Sequence, residues 1–460
     1  MTLHVVEVAR VVPAPDSVLN SANSLVIPLT LFDLPWLAFH PIKRLLFYRL
    51  TESTREHFHS FIVPNLKLSL SLALRTYLPL SGRITWDQNE PKPSIVVTQN
   101  DGVSVTIAES DSDFSRLSGY GQRLLSELDA LLPELPVSDD SATAFSPQIT
   151  LFPNQGFSIG LASHHAVWDG KTASMFIKAW AHLCKQHLES ENRVVLSLPE
   201  NLTPSLDRSL LKDLTNLDEE MIEVVRSLKV DKTNKRSLSP VPAGELGDDV
   251  VFATVVLTRD DVERLRERVK SESNRSLLHL STFVIAYAYA WTCFVKARGG
   301  DPERSVSLLF VGDFRERLDP PLPATYFGNC LFPAGSYNRK ASDFADERGF
   351  VNAVEVLSGL VKGLSSRKLE TLVKDFAEGF ESMSESSQCG SVAGSTRLGV
   401  YETDFGWGKP VKTDVLSIEE GGGISMAERR DESGGVEIGM CSKKAEMDVF
   451  LSIFSNGLQN

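Results

Sequence analysis

The chain has 460 residues, 47 Lys plus Arg against 60 Asp plus Glu, and a formal charge of −13. At that length one hydrophobic core normally divides, so two domains of roughly 200 residues are expected. With 42% apolar and 23% charged residues, the composition is that of a globular protein and not of a disordered, fibrous or membrane one. An acidic chain is also poorly suited to nucleic acid or an anionic membrane surface, so neither is expected as a partner, and an anionic ligand must be met by local positive charge.

At the start, MTLHVVEVARVVPAPDS lacks a basic stretch followed by an apolar one, so nothing there reads as a secretory signal. In the first half Phe157, Ile159 and Leu161 alternate with Ser158, Gly160 and Ala162, the period of a strand. From Thr172 onward Met175, Phe176, Ala179, Trp180 and Leu183 repeat at helical spacing, which puts HHAVWDGK on a strand-to-helix turn. Between about Glu189 and Asp249 apolar periodicity fades into Pro, Ser, Lys and Asp, as expected of a crossover linker with one helix near Asp218–Leu228. Val250–Leu257 then reads as a strand, and Thr258 with Asp261 starts a helix by capping-box logic. The apolar run Leu280–Val295 carries Ser281, Thr282, Tyr287, Tyr289 and Thr292, and is shorter than the roughly 20 residues a bilayer needs, so it reads as a buried core helix. Ser305–Gly312 and Gly434–Cys441 read as further strands, and Met447, Phe450, Leu451 and Phe454 mark a final helix. The division that follows is 1–190 and 249–460 for the two domains and 191–248 for the linker.

The five cysteines, Cys184, Cys293, Cys330, Cys389 and Cys441, are odd in number and form no CxxC pair. That argues against a disulfide framework and a cysteine zinc site, and for a reducing compartment, the cytosol. Of only nine histidines, His164 and His165 stand together at the end of a strand, followed by Asp169 and Gly170. Imidazole takes and returns a proton near neutral pH, and a sharp turn presents it to a cleft. Asp169, four residues on, is spaced to support His165 or merely to cap the next helix. A metal site is disfavoured, because HExxH is absent and adjacent strand residues point to opposite faces. In DFGWG, Asp404 to Gly408, two glycines flank a tryptophan and imply a tight backbone path. A kinase magnesium loop does not fit, since HRD and GxGxxG are missing.

HHAVWDG, TYFGNC (Thr325 to Cys330) and DFGWG, in that order and with IPLTLFDLPWLAFH near the start, resemble the plant BAHD acyl-CoA-dependent acyltransferases over essentially the whole chain. YFGNC is similar to the branch acting on anthocyanins and phenolic glucosides. The resemblance implies an α/β fold of two similar-sized chloramphenicol-acetyltransferase-like domains of mixed sheets and helices, with the active site in the channel between them. It also implies a monomer, acyl-CoA as co-substrate, and no permanently bound cofactor or metal. His165 falls on the family's general base, which deprotonates an acceptor hydroxyl as it attacks the thioester. Asp169 falls on a structural carboxylate turned toward an arginine, here Arg315 in VGDFRERLDPPLP, and Gly170 lets the chain turn without a side chain. Asp404, Phe405, Gly406, Trp407 and Gly408 form a mainly architectural loop, whose Asp has a possible assisting role.

Further positions follow from the same likeness. Ser395 stands where the hydroxycinnamoyl-transferring branch has tryptophan, and is the candidate for holding the oxyanion. Ser281 and Thr282 open a long helix whose free NH groups suit a CoA phosphate, with ordinary N-capping by Ser281 as the other explanation. Lys296 and Arg298 at the far end are expected to serve as dipole partners. The family likeness points to a malonyl donor and to the 6-hydroxyl of the glucose in phenolic, naphthol or flavonoid glucosides. A malonyl carboxylate needs a cation; the position that is basic in some relatives is Ala173 here, which leaves Lys171 and Arg397. The alternatives are a hydroxycinnamoyl donor, a peptide-synthetase condensation domain, which also carries HHxxxDG but not YFGNC or DFGWG, and a non-catalytic relative, against which His165, Asp169 and the glycines are all retained.

Overall fold

A computed structural model describes residues 2–15, 24–50, 54–87, 89–189, 197–228, 236–240, 247–383, 387–417, 422–431 and 433–459. Within the expected linker, residues 190–196, 229–235 and 241–246 lie outside the described residues. Among the described residues the architecture is mixed α/β, with four sheets of six, five, three and four strands. The six-stranded sheet runs Leu3–Val11, Val103–Ser110, Phe145–Phe152, Gly156–Ser163, Ile42–Arg49 and Lys412–Val415. The five-stranded sheet runs Val392–Ser395, Ile424–Glu428, Val436–Lys443, Val250–Leu257 and Arg123–Leu124.

Gly156–Ser163 is a central strand, buried on both faces. The alternation of large and small residues therefore separates two kinds of packing rather than core from solvent. On the small face the chain around Leu131 comes so close that a Cβ on Gly160 would lie 2.1 Å from the Leu131 carbonyl oxygen. Thr258 and Asp261 make the expected capping box, with Asp261 N donating to Thr258 Oγ1 at 3.1 Å and Thr258 N to Asp261 Oδ2 at 2.9 Å. The apolar run becomes the helix Thr282–Arg298, buried without interruption from Val284 to Val295, as an all-round apolar helix must be in a water-exposed protein. Among the described residues no helix is long and apolar enough to cross a membrane.

The crossover segment is strapped to the first half. Its helix Thr215–Leu228 buries Leu217, Met221, Ile222 and Val225, Tyr77 Oη donates to the Leu202 carbonyl at 2.7 Å, and Lys92 pairs with Asp218.

The two halves also exchange edge strands. Lys412–Val415, far along the chain, pairs with Ile42–Arg49, while Arg123–Leu124 pairs with Val250–Leu257. At the crossing, Arg123 Nη1 lies 2.6 Å from Asp414 Oδ2, and Lys412 Nζ lies 2.8 Å from Asp414 and 3.3 Å from Glu437. Tyr120 and Tyr401 donate their hydroxyls to Glu437 at 2.6 and 2.7 Å. All four charged side chains are buried, and two cations balance two anions, the condition under which buried charge is tolerated. Burial opposes ionisation of Asp414, but Arg123 and Lys412 outweigh it and hold the carboxyl below its ordinary range.

Candidate active site

The site is built where Gly156–Ser163 runs out. Trp168 Nε1 donates back to Ser163 Oγ at 2.8 Å, and His164 closes the turn by accepting the Ala166 NH on Nδ1 at 3.2 Å. His165 opens a single 3-10 turn, His165–Val167, and Trp168 is extended again. Asp169 then caps the helix Gly170–Glu189, its Oδ1 accepting from Lys171 N at 3.1 Å and Thr172 N at 3.0 Å. The helix thus starts two residues before Thr172, where its apolar periodicity begins.

The two histidines diverge. His164 is buried and folded onto its own turn. His165 is half-buried and lies flat on the Trp36 indole, ring centroids 4.2 Å apart and planes 7° from parallel. Its Nδ1 is buried with no hydrogen-bond partner among the described residues, so the open edge of the ring carries Nε2. Burial pushes the imidazole down to about 4, partly countered by the residue's own carbonyl and the Asp169 charge. The ring is therefore neutral at pH 7 and Nε2 can accept a proton.

Asp169 does not bond to His165. Its Oδ2 is 2.8 Å from Arg315 Nη1 and accepts from Cys330 N at 3.1 Å, so the carboxylate is fully occupied by the helix cap and the arginine. The pair is buried, at 0% and 1% side-chain exposure. Arg315 Nη2 also donates to Thr172 Oγ1 and to the Gly328 carbonyl, both at 3.2 Å. Burial opposes ionisation of Asp169, yet Arg315 and the amides of Thr172 and Cys330 hold it below the usual carboxylate range. Gly170 does not act as expected: its φ is ordinary, and an added Cβ would meet only Leu398 Cδ1 at 3.5 Å.

DFGWG is a loop closed on itself. Asp404 Oδ1 accepts from Gly406 N at 2.8 Å and Gly408 N at 2.9 Å, and Oδ2 pairs with Lys185 at 2.8 Å. Phe405 is buried edge-on against Tyr48 and Trp180, at 5.7 and 5.1 Å, and Trp407 meets Phe157 at 6.0 Å. Gly406 has a φ of 107° and would drive a Cβ to 2.5 Å from Leu188 Cδ1, so that position takes no side chain without strain. Asp404 has no contact with His165 among the described residues.

The remaining expected residues are dispersed. Ser281 accepts the Val284 NH at 3.4 Å as the N-cap of Thr282–Arg298, and Thr282 is that helix's first residue. Ser395 ends the strand Val392–Ser395 and accepts the NH of Arg397, whose side chain is exposed. Lys171 Nζ is 3.9 Å from Asp313, both about two-fifths exposed, at 39% and 41%. Among the described residues none of Ser281, Thr282, Ser395 and Arg397 is bonded to the His165 turn, and no cluster of three His, Cys, Asp or Glu residues is arranged to hold a metal.

Four residues at the site carried no role in the sequence reading. Asn329 Nδ2 donates to the His165 carbonyl at 3.0 Å and to Asp33 Oδ1 at 3.1 Å. Asp33, fully buried, is paired with Arg208 at 2.5 Å, and Trp36 carries the imidazole. The signal for Asp33, Trp36 and Asn329 lies in IPLTLFDLPWLAFH and YFGNC, whereas Arg208, in the polar crossover stretch SLDRS, carries none.

A model of the Transferase family matches residues 2–456. The chain is 70% identical over 460 residues to phenolic glucoside malonyltransferase 2 of Arabidopsis thaliana, covering 100% of both. It is 46% identical over 465 residues to agmatine coumaroyltransferase of the same plant, again covering 100% of both. Among solved structures, vinorine synthase superimposes with a TM-score of 0.68 at 21% identity, covering 98% of each chain, which shows the same fold. With a family model matching residues 2–456 and 70% identity across both full chains, the His165 turn belongs to an enzyme, and the chain is a BAHD acyltransferase of the Transferase family.

Proposed function

We propose that this enzyme transfers malonyl from malonyl-CoA to the 6-hydroxyl of the glucose in phenolic, naphthol or flavonoid glucosides. The observation that carries the substrate reading is the 70% identity, over every residue of both chains, to a phenolic glucoside malonyltransferase. At 46% identity the same family already includes a coumaroyltransferase acting on agmatine, so family membership alone does not choose the donor.

In the proposed reaction His165 Nε2 takes the proton of the acceptor hydroxyl as that oxygen attacks the thioester carbonyl. The tetrahedral adduct collapses with loss of CoA thiolate, which takes the proton from the imidazolium, and no acyl-enzyme forms. The half-buried ring is in its neutral form at neutral pH, the form that a general base needs. Asp169 and Arg315 serve the base by fixing its loop, and Asp404 has an architectural role, closing DFGWG. Ser395 is proposed for the oxyanion, Ser281 and Thr282 for CoA, and Lys171 or Arg397 for the malonyl carboxylate. That none of the five cysteines is joined in a disulfide supports a cytosolic setting. The test is incubation of the purified protein with malonyl-, acetyl- and coumaroyl-CoA against a set of phenolic glucosides, read by mass spectrometry. Malonylated glucoside as the main product is expected, and a preference for coumaroyl-CoA overturns the donor assignment.

A further inference from the structure

The general base has no carboxylate on Nδ1, so its orientation has to come from elsewhere. Two contacts supply it. One is the Trp36 face, 4.2 Å away and nearly parallel. The other is the Asn329 amide, which donates to the His165 carbonyl at 3.0 Å and so fixes the backbone from which the ring hangs. That same carbonyl is the group that partly offsets the cost of charging the ring. Both supports converge on one side chain. Asp33 Oδ1 accepts from Asn329 N at 3.0 Å and Asn329 Nδ2 at 3.1 Å. Its Oδ2 accepts from Thr30 N and Thr30 Oγ1, both at 2.9 Å. The second pair of bonds closes the turn that begins the 3-10 helix Leu34–Ala38, and Trp36 sits in that helix. Five donors on a side chain with 0% exposure leave it no freedom.

The fifth donor is Arg208 Nη1, 2.5 Å from Oδ2. It comes from the crossover segment, which is also tied down where Ser205 bridges to Tyr326 and Phe327 N donates to the Ser205 carbonyl at 2.8 Å. Arg208 passes so close to the YFGNC turn that a Cβ on Gly328, whose φ is 137°, would lie 2.9 Å from its Nη2. A glycine there makes room for the guanidinium.

We infer that Asp33, with Arg208 from the crossover segment as its counter-charge, is the positioning residue of the general base, holding His165 through Trp36 on one side and Asn329 on the other. The inference rests on His165 being the base. Asp33 and Arg208 touch no reacting atom; their effect passes through the imidazole.

The experiment compares purified Asp33→Asn, Asn329→Ala, Arg208→Ala, Arg208→Lys and His165→Ala enzymes, with thermal melts and acyl-CoA binding measured beside kcat, KM and the pH dependence of kcat. Asp33→Asn is expected to lower kcat about 10²-fold, the scale of a base displaced by about 1 Å, with acyl-CoA affinity retained. As the site loosens and hydrates, the acidic limb of kcat is expected to move up from about 4 toward the ordinary imidazole value of 6.5. Arg208→Lys, which keeps the charge, should restore most of what an Arg208→Ala enzyme loses. If Asp33→Asn does not fold, Asn329→Ala carries the same expectation for kcat and for the pH limb. A folded Asp33→Asn or Asn329→Ala enzyme with wild-type kcat and pH limb, beside an inactive His165→Ala enzyme, overturns the inference while leaving the base in place. Parallel losses of kcat and acyl-CoA affinity with an unmoved pH limb would mean a merely structural role and overturn it too. Near-normal turnover by His165→Ala overturns the base itself and this inference with it.

Discussion

Replacing Arg315 by Met leaves Asp169 buried with its charge and without its cation. A surface ion pair is worth about 0–1 kcal/mol, but this one has an N–O distance of 2.8 Å and exposures of 1% and 0%. Breaking such a pair by removing one partner costs about 3–5 kcal/mol. Three backbone NH groups, those of Lys171, Thr172 and Cys330, still reach the carboxylate, so the lower end, about 3 kcal/mol, is expected. The pH dependence gives a second and sharper check. In the wild type the Asp169 carboxyl is held below its unfolded value of about 3.9, so its contribution is present above that value and lost only as pH falls through the still lower folded one. In Arg315→Met burial acts unopposed by the arginine and raises the carboxyl, so the folded state binds a proton more readily than the unfolded chain. The deficit of the variant relative to wild type should therefore shrink as pH falls from 7 toward 5. Urea midpoints at the two pH values measure this, and Asp169→Asn with the double variant completes a cycle. Additive single effects, or a deficit independent of pH, would refute the pairing argument.

His165→Ala should lower turnover by about 10²–10⁴ while acyl-CoA still binds, and wild-type activity should persist down to about pH 5 because the imidazole charges only near 4. His164→Ala should spare turnover in a stopped assay but cost about 1 kcal/mol in a melt, as loss of a turn cap does. Lys171→Met should raise KM for malonyl-CoA and leave acetyl-CoA comparatively unaffected, since its amine is only loosely held by Asp313 at 3.9 Å; equal kinetics with both donors would exclude it as the carboxylate partner. Phe405→Ala should cost about 3–5 kcal/mol by chemical denaturation, because its ring fills the space between Tyr48 and Trp180.

Short-range chemistry was legible in the chain. The turn after Ser163, the capping box at Thr258 and the closure of DFGWG each rest on residues within a few positions of one another, where spacing is a direct statement of geometry. Arg315 was reached only through family likeness, because nothing local ties it to Asp169. Asp33 and Asn329 stand 296 residues apart, and no periodicity reports such a contact. Gly170 shows the opposite failure: a glycine in a motif suggested a backbone demand, yet the backbone there is ordinary. The strand Arg123–Leu124 has two residues, too few for any alternation to show, and its place in the five-stranded sheet is set by Val251 and Phe252 across the seam. Polar composition likewise marked the crossover segment as a linker, although Leu217, Met221, Ile222 and Val225 of Thr215–Leu228 are buried and Arg208 reaches the fully buried Asp33.

The exchange of edge strands has a consequence for synthesis. Ile42–Arg49 leaves the ribosome early, but its outer partner Lys412–Val415 is among the last segments made. Until then this strand, apolar from Leu45 to Phe47, offers an unsatisfied row of backbone donors and acceptors, the template on which chains pair with each other. The nascent protein therefore cannot finish its first half before it has nearly finished its second. Severing the gene between the halves would give two pieces that each lack a strand and carry an unneutralised part of the Arg123, Lys412, Asp414 and Glu437 network, so co-expression, rather than separate production, is the route by which such fragments would yield an active enzyme.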